Sequence, residues 1–170
     1  MAEQNPMRNI EIEKLVLNCG ATEEKLQRSV KLLEIITKNR KIYKVKATKR
    51  LPAFGLSPGK IAGAKVTIRN KQQIKELLKR FFAAVDNSVS KKQITENNFD
   101  LGIHEYIEIP GLEYDRDIGI LGFELTAVFK RKGKRTKMRK IKRGKYPKKQ
   151  AVTKEEILEY LTKNYGIEIK

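Results

Sequence analysis

Lys65, Thr67 and Arg69 alternate with Ala64, Val66 and Ile68. A period of two puts three hydrogen-bond donors on one face of a strand, about 7 Å apart, near the phosphate repeat of a nucleic-acid strand. Lys44, Lys46, Lys49 and Arg50 crowd the preceding strand and its end, and Lys60 follows after a loop. Phe54 sits in that loop among the cations. An aromatic ring so placed suits stacking on an unpaired base or packing on a ribose. Its other use is to anchor the loop by folding onto the domain. Further along, Lys130 to Lys149 holds 13 Lys and Arg in 20 residues and no acid. Lys130, Arg131, Arg135, Arg139 and Arg143 are the candidates there for irregular phosphate contacts that order on binding.

Catalytic arrangements are poorly supported. Gly55-Leu-Ser-Pro-Gly59-Lys60 approaches a phosphate-binding loop, but only three residues separate the glycines and Ile61 follows the lysine. A Walker loop needs four residues there, and Ser or Thr after the lysine. No G-x-G-x-x-G follows the first strand. His104, the single histidine, has no Ser or Cys motif near it and reads as a structural or surface residue. Cys19, the single cysteine, reads as a small buried hydrophobe. Asp115 and Asp117 read as turn residues in a solvated acidic patch. No catalytic residue, metal site, cofactor or small-molecule substrate is expected.

The charge balance points the same way. The 170 residues carry 38 Lys and Arg against 20 Asp and Glu, a formal net charge of +18. Lys38 to Lys71 adds 11 basic residues without an acid, so outside the two basic stretches 14 basic residues face 20 acidic ones. A solvated surface mixes signs, and such segregation asks for a polyanionic partner. A membrane is disfavoured because the basic tail offers only Met138, Ile141 and Tyr146 as sizeable apolar groups. No apolar run approaches the roughly 20 residues of a span, and no signal peptide opens the chain. One cysteine rules out an internal disulfide framework. The setting expected is soluble, reducing and cytoplasmic.

The elements that must position these groups are α+β, in the order βαββαββα, with two helices on one face of a mainly antiparallel sheet. Ile10 to Leu17 reads as a strand stopped at Asn18-Cys19-Gly20. A helix follows with Thr22 as N-cap and Asn39 as its end. Lys41 to Thr48 is a strand with one cationic face, and Leu51 to Gly63 is a loop rich in Pro and Gly. Ile74, Leu77, Leu78, Phe81, Phe82 and Val85 mark a second helix. After a polar connection, Leu101 to Ile109 alternates like a strand, as does Phe123 to Phe129. The last helix opens on a Thr153-x-x-Glu156 capping box with a Val152/Ile157 staple, and ends at Gly166. Residues 1–170 form one domain, with a contacting loop at 49–63 and a basic extension at 130–150.

Several short motifs occur in one family order: Asn5-Pro-Met-Arg-Asn-Ile10, Lys14-Leu-Val-Leu-Asn18-x-Gly20, Phe54-Gly55, Ala64-Lys-Val-Thr-Ile-Arg69, Leu101-Gly-Ile-His-Glu-Tyr106, Tyr114-Asp115 and Asp117-Ile-Gly-Ile-Leu-Gly122. The chain resembles the universal large-subunit ribosomal protein five family, numbered eleven in eukaryotes, in its archaeal/eukaryotic branch. The resemblance implies a structural protein of the central protuberance, ribosome-bound, that binds 5S ribosomal RNA and seats it against large-subunit RNA beside neighbouring proteins. It implies RNA-facing roles for Asn18, Phe54 and Thr67. It also implies that the loop with Lys49, Arg50, Phe54, Gly55 and Gly59 approaches transfer RNA in the peptidyl site. Tyr114, Asp115, Asp117 and Gly119 would meet a small-subunit protein at an intersubunit bridge. Thr22 stands where the family's turn has a second glycine, so that turn is altered. The competing reading is a general nucleic-acid-binding or RNA-chaperone module acting off the ribosome.

Overall fold

A computed structural model describes residues 5–38 and 40–169. The chain runs through β1 (Ile10–Gly20), α1 (Glu23–Thr37), β2 (Tyr43–Lys46), β3 (Ile61–Ile68), α2 (Lys71–Ala83), β4 (Ser88–Val89), β5 (Ile94–Thr95), β6 (Asn98–Ile103), β7 (Phe123–Arg131), α3 (Arg135–Met138), α4 (Lys154–Tyr165) and β8 (Glu168–Ile169). Six strands form one antiparallel sheet in the order β2-β3-β1-β7-β6-β5. The short β4 and β8 pair in parallel by themselves. The α+β class and the antiparallel sheet are as expected.

Period-two alternation decides which face is covered. Register aligns Val66, Leu17, Leu125 and Leu101 across β3, β1, β7 and β6, all at most 3% exposed. On this face lie the buried sides of α1 (Leu26, Leu33, Ile36), α2 (Ile74, Leu78, Phe81, Phe82) and α4 (Ile157, Leu161), in one apolar cluster. Three helices cover the face rather than two. Phe81 meets Phe123 edge-on at 5.5 Å between ring centroids, and Phe129 meets Tyr160 at 5.6 Å. The opposite face carries no helix and is therefore the surface on which β1 and β3 show their polar side chains.

Three local readings are corrected. β1 does not stop at Asn18-Cys19-Gly20, because β3 and β7 pair with it through Gly20–Gly63 and Asn18–Glu124. Pairing partners on both sides outweigh a local turn preference. The strand expected over Leu101–Ile109 ends at Ile103, opposite Phe123, the first residue of β7. Without a partner beyond that point the chain bends into a 3-10 turn at Tyr106–Glu108. Thr22 holds the N-cap position of α1 but makes no side-chain cap hydrogen bond. By contrast, Thr153 and Glu156 form both bonds of the expected capping box, and Gly166 ends α4 at φ 65°. The end of α1 expected at Asn39 lies outside the described residues, and Lys38 caps the helix in a left-handed conformation.

Gly63 is required by close approach of β1 and β3. A Cβ there would stand 2.5 Å from the carbonyl oxygen of Cys19. Gly63→Ala is expected to destabilise the protein by about 1–3 kcal/mol, as overpacking against backbone does. A urea unfolding midpoint equal to wild type would contradict this.

Candidate nucleic-acid interface

The uncovered face splits by charge. In the β2–β3–β1 half, Tyr43 stands opposite Lys65 and Lys65 opposite Asn18, with Thr67 opposite Val16 one row on. Lys65 is exposed and its Nζ lies 5.2 Å from the centroid of the Tyr43 ring. Arg69, just past the strand, is also exposed. In the β7–β6 half the face turns acidic. Glu124 accepts a long 3.4 Å hydrogen bond from Asn18 Nδ2, and Asp100 accepts one from Thr126 Oγ1 at 2.7 Å. The cationic track therefore ends at β1.

Lys44 departs from the expected set. Register places it opposite Ala64, on the side the helices cover, while exposed Tyr43 takes the open side. The β2–β3 register shifts between Val45 and Lys46, which sends exposed Lys46 toward the loop. That loop is closed at its base: Ala47 N–H donates to the Lys60 carbonyl at 2.7 Å, and Gly59 N–H to the Ala47 carbonyl at 2.9 Å. Beyond this neck Leu51 and Leu56 form an isolated bridge, and Gly55 turns the tip at φ 61°. Phe54 is 73% exposed at the tip, so it does not anchor the loop onto the domain. Lys49, Arg50 and Lys60 are exposed around it.

The basic extension is anchored at its root and open beyond it. Arg131 is 9% exposed and pairs with Glu156, the capping-box carboxylate of α4. Arg131 is thus withdrawn from the surface candidates, because it ties β7 to α4. Lys134 Nζ lies 2.6 Å from Glu13 of β1, and Lys130 is half-buried opposite Glu11. Past this root Arg135, Arg139 and Arg143 are exposed, and the segment folds back where Gly144 N–H donates to the Thr136 carbonyl at 3.1 Å. The sequence reading missed Glu13 and Glu156 as anchors. Their only trace was the excess of acids outside the basic stretches.

Both anchoring carboxyls are shifted. Burial pushes Glu13 up, but the Lys134 hydrogen bond and charge outweigh it and hold the group below the ordinary carboxylate range. Burial acts likewise on Glu156, outweighed by Arg131 and by hydrogen bonds from Thr153. A depressed folded-state pKa contributes stability that is present above the unfolded value of about 4.3 and is lost as pH falls through the lower folded value. Acidification below about pH 4.5 is therefore expected to loosen the root. Glu13→Gln should show a shallower fall of stability with acid than wild type, and identical pH profiles in urea unfolding would refute the assignment.

The acidic loop is clasped onto the domain. Asp115 N–H donates to the buried Tyr106 hydroxyl at 2.8 Å, and Asp115 Oδ1 accepts from the Asp117 N–H at 2.9 Å. Asp117 pairs with Lys31 of α1 at 2.8 Å, so it is engaged rather than freely solvated. Ile118 is buried, Gly119 turns at φ 68°, and Tyr114 is 57% exposed. His104 is exposed, and Cys19 is buried with its thiol pushed up to about 12 by burial and then by the Glu124 charge. Among the described residues no group of three or more His, Cys, Asp or Glu could hold a metal, and no helix is long and apolar enough to cross a membrane.

Comparison with known proteins accounts for this layout. The model of the ribosomal L5 family C-terminus matches residues 61–160. The large ribosomal subunit protein uL5 of Nanoarchaeum equitans is 38% identical over 98% of this chain and 99% of its own length. The uL5 proteins of Picrophilus torridus and Methanoregula boonei are 36% and 35% identical, over 98% and 96% of this chain and 96% and 100% of theirs. Matches of that length and identity, joined to the antiparallel sheet with helices on one face, mean that the chain belongs to the ribosomal protein uL5 family, in its archaeal form.

Proposed function

We propose that the cationic half of the open sheet face, with the loop beside it, seats 5S ribosomal RNA against the rest of the large subunit. The family is a structural, non-enzymatic component of the large ribosomal subunit. The observation that carries the finer reading is a run of unneutralised charge. Among the described residues Lys44, Lys46, Lys49, Arg50, Lys60, Lys65 and Arg69 are all exposed and none forms an ion pair. Exposed cations without carboxylate partners supply the counterion-releasing contacts that dominate RNA affinity.

In this reading Asn18, Lys46, Lys60, Lys65, Thr67 and Arg69 meet 5S RNA. The loop tip, with Lys49, Arg50, Phe54, Gly55 and Gly59, reaches transfer RNA in the peptidyl site. Arg135, Arg139 and Arg143 lie on large-subunit RNA. Tyr114, presented by the clasp of Asp115, Asp117 and Gly119, faces a small-subunit protein. The test is a competition in which the purified chain chooses between 5S RNA, random RNA of equal length and duplex DNA at fixed salt. A preference for 5S RNA of about tenfold or more, the low end of specific over non-specific recognition, is expected. Equal binding to all three overturns this reading in favour of a general nucleic-acid-binding module.

A further inference from the structure

Phosphate contacts leave one group on the open face unused. Tyr43 is 63% exposed, although its strand is hydrogen-bonded to β3. Cross-strand register places it in a row with Lys65, Asn18 and Glu124 on the side no helix covers. One side of its ring faces the Lys65 ammonium. A tyrosine body left in water is costly unless something apolar covers it, and every nucleobase has a face that can.

We propose that Tyr43 is a stacking platform for an unpaired nucleobase of RNA. This rests on the reading that RNA lies on the open face. Lys65, held beside the ring, meets the phosphate of the stacked nucleotide or its neighbour. Glu124, at the far end of the row, carries a charge that repels phosphate. The nucleic-acid backbone is thereby confined to the β2–β3 side, with its bases directed over β2 and β1. The site takes single-stranded RNA with little base preference, because stacking is common to all four bases.

A competing role for Tyr43 is to hold Lys65 in place through the ring face. Salt dependence separates the two, since stacking releases no counterion while a phosphate contact does. The full-length chain is titrated with a labelled uridine decamer across a salt series, comparing Tyr43→Phe, Tyr43→Leu and Lys65→Ala. Stacking predicts that Tyr43→Phe binds within about twofold of wild type and Tyr43→Leu about fivefold or more weaker at every salt, with an unchanged slope. Lys65→Ala should flatten the slope by about 0.7 on a single strand. Wild-type affinity in Tyr43→Leu, or a slope flattened as in Lys65→Ala, overturns the proposal. Because the decamer is not 5S RNA, loss of 5S preference in the competition above would sink that reading alone and leave this result standing.

Discussion

Changing Lys46, Arg50, Lys65 and Arg69 to alanine together is expected to weaken 5S RNA binding by about two to three orders of magnitude near 0.1 M salt. Each charge-assisted contact, discounted for solvent exposure, contributes about 1 kcal/mol, so four give about 4 kcal/mol. The plot of log affinity against log salt should flatten by about three to four units, close to 0.9 for each duplex phosphate no longer neutralised. Stability should hold or rise slightly, because these side chains are exposed, lack ion-pair partners among the described residues and repel one another. Filter binding across salt, with a thermal melt as control, reads both quantities. An unchanged slope would remove these four residues from the RNA-facing set.

Phe82→Ala should do the reverse, lowering stability by about 3–5 kcal/mol, as removal of a buried phenyl group does. Phe82 is 1% exposed, and its ring lies 5.8 Å from that of Phe99 and 5.2 Å from that of Tyr165. It thus joins α2, β6 and the end of α4, and the cavity it leaves cannot be closed by moving one element alone. Against a total stability of about 5–15 kcal/mol, such a loss lowers the melting temperature by many degrees. The fraction that stays folded should bind RNA with the wild-type salt slope, since no phosphate-binding side chain is touched. A melt within a degree of wild type would show that the three elements are not joined through this ring.

These two outcomes share one cause, the two-sidedness of the sheet. The same alternation that sends Leu17, Val66 and Leu125 under the helices sends Asn18, Lys65 and Glu124 to the bare face. RNA affinity and folding stability are consequently governed by different residues of the same strands. The exception is the root of the basic extension, where Arg131 and Lys134 belong to an acid-free stretch by position and to the fold by contact.

Much of this was legible from residue order. Period-two alternation in Ala64–Arg69 and Phe123–Phe129 exposed the donor face, period-3.6 stripes marked α1, α2 and α4, and the capping box located the start of α4. The segregated charge named a polyanion, and the ordered motifs matched the family that the comparisons then showed. Contacts between residues far apart in the chain decided the rest. That Phe54 points to solvent, that Lys44 and Tyr43 take opposite sides of β2, that Arg131 pairs with Glu156, and that Glu124 ends the cationic track are facts of register and packing. Local spacing fixes which residues share a strand face, because backbone geometry repeats every two residues. Which strand lies beside it, and so which charges meet, depends on pairing that no single segment encodes.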